Sequence, residues 1–253
     1  MKISAPVRLD PQAIAAREHY FPFFLLTALS PILLFPVANL DGTVLQRLVM
    51  PLAVTALVVM SIYALPDWLA RVGRLRVNGL YRLLASISAL SVWWPLIAAH
   101  RPPFVIHVLI LALRSLFYLL TSIRIIQVLA NSERVGARTL CLGAAGYVHL
   151  GLTAGLLATV LQLVDPDSFN LGTTSLHEEL MARLSYFAFI TLGSLGYGDV
   201  VPASPIGESF VVLLSLSSTL YLSLLIGMLL SRFITSKQAL DLDRSNPRVG
   251  RDV

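Results

Sequence analysis

TLGSLGYGD, residues Thr191 to Asp199, stands between an amphipathic run of helical length, Leu176 to Ile190, and an uncharged apolar run from Phe210 to Leu230. The segment before that first run, Asp165 to Ser175, reads DPDSFNLGTTS and is rich in turn formers. Ser175 with Glu178 makes an S-x-x-E capping box, which predicts a helix beginning at Leu176. From there to Thr191 is about 15 residues, or about 22 Å at helical rise, too short and too polar at its start to cross a bilayer. Such a helix enters a membrane, stops partway and hands over to non-helical backbone. Irregular backbone at that depth is tolerated only where it is buried in protein or lines a water-filled path. Gly196 and Gly198 suit the task, because glycine reaches left-handed dihedrals without a Cβ penalty.

Composition agrees with a membrane setting. Of 253 residues, 56% are hydrophobic and 13% charged, and the mean hydropathy is +0.77, values far from those of a soluble domain. The single cysteine, Cys141, excludes an intrachain disulfide and reads as a packed small residue. The sequence pI of about 9.7 does not imply a nucleic-acid partner, since the basic residues fall between apolar runs and not on one polar face. His19, His100, His107, His149 and His177 are scattered, with no metal-ligand or catalytic spacing among them. An enzyme is therefore not expected, nor a cofactor.

Stretches free of charge, or nearly so, cover residues 20–40, 48–66, 83–99, 103–129, 139–164 and 210–231. A bilayer core takes roughly 20 apolar residues as a helix, so six crossings fit. The first is too long for a signal-peptide core and is expected to be retained as a span. With the N-terminus inside, Arg17, Arg71, Arg74, Arg76, Arg82, Arg124, Arg134, Arg138 and Arg232 all fall on the cytoplasmic side, against only Arg47, Arg101 and Arg183 outside. That is the positive-inside pattern, and it predicts a multi-pass protein of the plasma (inner) membrane with both termini cytoplasmic. The divisions that follow are a tail over 1–19, a four-helix membrane domain over 20–136, a second membrane domain over 137–233 and a charged tail over 234–253.

In this setting Ser194, Leu195, Gly196, Tyr197, Gly198 and Asp199 resemble the selectivity filter of potassium channels of the six-span, voltage-gated-like superfamily, with a bacterial-type pore domain. There, carbonyls of a loop reading roughly TVGYG replace the hydration shell of K⁺. The resemblance is strong over Ser175 to Phe233 and extends as topology alone over 20–138. It implies an all-α membrane protein of six transmembrane helices plus a re-entrant pore helix and filter loop. One filter copy cannot surround an ion, so it also implies a homotetramer about a fourfold axis. The carbonyls of Ser194, Leu195, Gly196 and Tyr197, with the Ser194 hydroxyl and Gly198, would hold K⁺, the permeating ion. Thr191 and Gly193 would support the filter. Tyr197 would pack on Tyr186 or Phe187, and Asp199 would bond behind the filter. Membrane lipid and like subunits are the implied partners, and the short tail leaves no room for a ligand-binding domain. The family commonly has two threonines and a valine where this chain has Gly193, Ser194 and Leu195. The serine keeps the hydroxyl, and the leucine alters side-chain packing but not the carbonyl.

Along the last span, Ser215, Ser218, Thr219 and Ser223 recur at spacings of three and four, which puts hydroxyls on one face suited to a wet cavity. Hydroxyls in spans also bond their own helix or a neighbour. By distance from the filter the family's hinge glycine falls at Ser218, and Gly227 lies further in. Gly143, Gly146, Gly151 and Gly155 in the fifth span predict close helix packing.

In the fourth span Arg114 and Arg124 are ten residues apart, and the first three spans hold no interior acid. One charge contributes only about 2.3 kcal/mol per 100 mV, so weak or absent voltage dependence is expected. A backbone carbonyl, Gln162 or a neighbouring subunit would partner Arg114. Trp93 and Trp94 read equally as interfacial anchors or packing residues, and the Arg-rich stretch 67–82 as a surface-lying connector. Two other functions fit less well: a poorly selective monovalent cation channel, which Gly193 and Leu195 permit, and a transporter component or non-conducting scaffold. Transporters carry paired broken helices, and one broken segment is found here.

Overall fold

The computed structural model describes residues 9, 11–34, 44–67, 74–97, 102–132, 136–172 and 177–245. The chain is mostly helical: α1 (Pro11–Ala15), α2 (Phe21–Leu33), α3 (Val44–Ala64), α4 (Arg74–Ser91), α5 (Phe104–Asn131), α6 (Ala137–Val164), α7 (His177–Leu192) and α8 (Pro205–Ser245). Among the described residues, three helical segments are long and apolar enough to cross a membrane: Phe104–Asn131, Ala137–Val164 and Pro205–Met228. Proline and glycine set the boundaries of the first two. Pro103 stands in extended geometry (ψ 145°) immediately before α5, and Gly136 is extended before α6.

Several expected boundaries move. The third apolar element begins at Arg74, so much of the stretch read as a surface connector is the start of α4. It ends at Ser91, and Trp94–Ile97 forms a separate turn. The first element is helical only to Leu33 among the described residues. α8 runs on to Ser245, through most of what reads as a charged tail. Arg71, Arg101, Arg134 and the expected capping residue Ser175 lie outside the described residues.

The molecule is built around α6, which packs against α2, α5, α7 and α8. Small residues make that possible, because helices in lipid associate through close van der Waals contact and not through apolar burial. A Cβ on Gly146 would lie 2.2 Å from the Tyr221 hydroxyl, and one on Gly155 would lie 2.8 Å from the Ser185 backbone. Gly143 likewise faces Leu225 of α8, and Gly151 faces Phe189 of α7. The four glycines thus divide between two partners, the first pair admitting α8 and the second α7.

The arginines of α5 are held by local polar contacts. Arg114 Nη2 donates to Ser91 Oγ at 2.6 Å. Gln162 is engaged elsewhere: its amide donates to Pro166 O, and its carbonyl oxygen accepts from Phe169 N at 2.8 Å. Arg124, expected at the cytoplasmic end, is only 3% exposed. It donates to the carbonyls of Leu65 (3.3 Å) and Pro66, sits 4.3 Å over the Tyr81 ring and stands 4.0 Å from Asp67 Oδ1. The acid missing from the span interiors is supplied where α3 ends, and the carbonyls freed by that helix end supply the rest. Trp93 donates to Thr55 Oγ1 at 2.9 Å and is a packing residue, whereas Trp94 is exposed. His149 is fully buried, stacked on Tyr118 at 4.7 Å, with neither ring nitrogen hydrogen-bonded.

Candidate functional site

α7 is the half-length helix, 16 residues from His177 to Leu192. Its buried face carries Leu184, Phe187, Ala188 and Leu192, and α6 backs it through Gly151 and Gly155. A helix leaves its last four carbonyls without intrahelical partners, and here every one is met. Phe189 O accepts from Gly193 N (2.9 Å), Thr191 O from Ser194 N (3.0 Å), and Ile190 O from both Leu195 N (2.8 Å) and Gly196 N (3.3 Å). Leu192 O accepts from Tyr147 OH (2.8 Å) and Ser218 Oγ (2.7 Å).

The loop after Leu192 therefore turns its first amides back into the helix end. Its backbone alternates in hand: Ser194, Gly196 and Gly198 have φ of 57°, 52° and 77°, while Leu195 and Tyr197 stay in the ordinary negative range. In uniform extended chain, successive carbonyls point to opposite sides, and reversing every second residue turns them toward one side. Gly196 and Gly198 meet that need as the sequence predicts. Ser194 meets it against the usual preference of a residue with a Cβ. Among the described residues no donor reaches the carbonyls of Ser194, Leu195, Gly196 or Tyr197. The loop is open, with Leu195 59% and Tyr197 68% exposed in the single chain. No group of three or more His, Cys, Asp or Glu lies together among the described residues, so a cation at this loop would meet backbone oxygen.

The far end of the loop is anchored to α7. Asp199 pairs with Arg183 of α7 at 3.4 Å, and Tyr186 faces the same carboxylate. Phe187 does not pack on the largely exposed Tyr197. It lies 5.3 Å from Phe169, in the cluster that also holds Val200, so it supports the chain just past the loop. The linker read as turns contains a two-residue strand, β1 (Phe169–Asn170), paired antiparallel with β2 (Val201–Pro202). Ala203 N adds a bond to Ser168 O at 2.9 Å. A Cβ on Gly207 would lie 2.2 Å from that same carbonyl. The exit of the loop is thus clipped to the segment that follows the C-terminal end of α6.

On α8 the hydroxyl row splits. Ser215, Thr219, Ser223 and Gly227 follow one another at intervals of four and are all exposed, with Thr219 bonding back to Ser215 O at 3.0 Å. Ser218 belongs to another face with Leu214 and Tyr221 and is 3% exposed. It is not a cavity residue, because its hydroxyl is committed to Leu192 O. Sequence reading missed Tyr147 as a bonding partner and assigned Arg183 only to topology. The signal for Tyr147 is chemical: a tyrosine in the middle of a span needs a partner for its hydroxyl.

Residues 169–235 match the family model described as an ion channel. No curated protein and no solved structure matches the chain. The match takes in β1, α7, the loop, β2 and most of the apolar length of α8. An ion-channel family implies a protein that is not an enzyme. Residues 169–235 are thus similar to an ion-channel family, and the three membrane-capable helices suit an integral membrane protein.

Proposed function

We propose that this chain is one subunit of a homotetrameric, potassium-selective channel that conducts K⁺ passively, with weak or no voltage dependence. The observation that carries the proposal is the row of four unpartnered carbonyls, Ser194 to Tyr197, on backbone of alternating hand at the end of a half-length helix. Four copies about an axis would turn each carbonyl into a ring, and stacked rings replace the hydration shell of a dehydrated K⁺. The surfaces left open in one chain suit that assembly. Leu195 and Tyr197 are exposed beside the carbonyls, and Leu213, Leu216, Leu220 and Leu224 form an apolar strip on α8. In a tetramer the neighbouring subunits cover part of that surface and lipid the remainder. The exposed row Ser215, Thr219, Ser223 would line the inner cavity, with Gly227 as the bending point.

Six spans with both termini cytoplasmic, in the plasma membrane, complete the picture. The charge pattern supports it, as does the order of apolar helices, with α2 and α3 as the first two crossings and α4 as the third. Weak voltage dependence follows from the state of the arginines. Arg114 is held by Ser91, and Arg124 by backbone carbonyls and Asp67, so neither is a mobile charge.

The test is purified protein in liposomes and planar bilayers, with bi-ionic K⁺/Na⁺ reversal potentials and single-channel recording, using Gly196→Val as the control. K⁺ current with a reversal potential that follows the K⁺ gradient, lost in the variant, is expected. Absence of K⁺ flux in the wild type sinks the proposal, and equal K⁺ and Na⁺ permeability replaces it with a non-selective cation channel.

A further inference from the structure

Leu192 O is the carbonyl where the filter loop begins, and the loop does not satisfy it. The three carbonyls before it accept amides from residues 193 to 196. Leu192 O instead takes one hydroxyl from α6 and one from α8, Tyr147 at 2.8 Å and Ser218 at 2.7 Å. We propose that Tyr147 and Ser218 are positioning residues that hold the Leu192 carbonyl, and through it the filter loop, so that the placement of α8 is felt in ion selection. The inference rests on the proposed channel function.

Three features carry it. A carbonyl has two lone pairs and accepts both hydroxyls at once. The two hydroxyl oxygens also lie 3.3 Å apart, yet each has a single proton, so three contacts share two protons. Either both hydroxyls point at Leu192 O, or one points at the other and the carbonyl loses a bond. The node therefore has three discrete hydrogen-bond arrangements, one with two bonds to the carbonyl and two with one, and a small shift of α8 relative to α6 chooses among them. Second, Tyr147 and Ser218 come from separate helices, and the Tyr147 ring lies 6.0 Å from that of Tyr221 on α8. Tyr221 in turn donates to Gly143 O of α6 at 2.7 Å. α6, α7 and α8 are thus cross-linked by polar bonds at this level. Third, two residues past Leu192 stands Ser194 with φ 57°. A residue with a Cβ stays in that region only where its surroundings over-determine it. The bond from its own amide to Thr191 O, at 3.0 Å, and the fixed Leu192 carbonyl supply that constraint together.

The variants are Tyr147→Phe, Ser218→Ala, the double variant and Ser218→Thr. They are read in full-length reconstituted protein by bi-ionic K⁺/Na⁺ reversal potential and single-channel open time, with thermal unfolding in detergent followed in parallel. Each single variant leaves one hydroxyl on the carbonyl and is expected to lower the K⁺/Na⁺ permeability ratio only about two- to threefold. The double variant is expected to lower it more than tenfold, beyond the product of the singles, as groups sharing one partner behave. Ser218→Thr retains a hydroxyl and restores the wild-type ratio. A purely structural node predicts lower thermal stability with an unchanged ratio and open time, and that result overturns the proposal. Tyr147→Phe removes one oxygen and keeps the ring packed on Tyr221. If the double variant does not assemble, unchanged selectivity and open time in both singles are decisive against it. Wild-type protein that carries no K⁺ current overturns the channel function itself, an outcome separate from wild-type current with insensitive variants.

Discussion

The two halves of this chain treat polar groups in the membrane in opposite ways. Over α2 to α5 the charged side chains find partners inside the fold, in part: Arg114 Nη2 on Ser91, with its Nε unbonded among the described residues, and Arg124 on two carbonyls, an aromatic face and Asp67. Over α6 to α8 the helix-end carbonyls are matched, yet the next four, from Ser194 to Tyr197, meet no donor among the described residues. Those four carbonyls lie on exposed backbone, so the first half is closed by its own contacts and the second leaves a set of acceptors open. The helices show the same contrast. Of the apolar window in Phe104–Asn131, 33% is buried within the chain, against 17% for Pro205–Met228. An equally apolar helix with so much free surface needs lipid or other subunits to cover it.

The contrast can be broken or sharpened by mutation. Gly198→Val should have the largest effect. A β-branched residue at φ 77° costs roughly 1–2 kcal/mol per left-handed residue, repeated in every subunit, and K⁺ flux into liposomes should vanish while the fold persists. Arg124→Leu comes next. Removing one partner of a buried pair costs about 3 kcal/mol at the lower end of such measurements, the end that suits an Asp67 partner 40% exposed. A lower unfolding temperature with an unchanged reversal potential is expected, and a shift in selectivity would break the division between the halves.

Gly207→Ala would press a Cβ against the Ser168 carbonyl, which is backbone and cannot turn aside. A loss of about 1–3 kcal/mol, the usual range for overpacking, should appear in thermal unfolding together with shorter channel openings. Arg114→Gln keeps a donor toward Ser91, and conductance–voltage curves should stay where they are. A large displacement would make Arg114 a sensing charge. His149→Leu should have the smallest effect. With both ring nitrogens unbonded, an apolar replacement should leave stability unchanged or raise it by about 1 kcal/mol, with currents unaltered.

Much of this was legible in the sequence, because it depends on local rules. The half-length helix ends within a residue of its expected C-terminus, since a run of helix formers meets Gly193. The fifth span keeps its expected end at Val164, where Asp165 and Pro166 stop it. What sequence reading misplaced depends on contacts distant along the chain. Ser218 sits at the right spacing for the cavity row, but periodicity does not tell which of two adjacent faces a neighbouring helix covers. The contact of Phe187 with Phe169 was not legible, because Phe169 lies beyond a linker that shows no strand signal. Arg124 looked peripheral because its acid is on another helix's end.

By itself the sequence determined that the chain lives in a membrane, that a short helix hands over to a glycine-punctuated loop, and that Gly196 and Gly198 adopt left-handed backbone. Hydropathy, helix length and the missing Cβ are properties of residues and their near neighbours. Tertiary structure alone decided that Ser194 is also left-handed, that Arg183 holds Asp199, and that Tyr147 and Ser218 meet on the Leu192 carbonyl. Each depends on which donor comes within about 3 Å of which acceptor, and helix packing sets that distance.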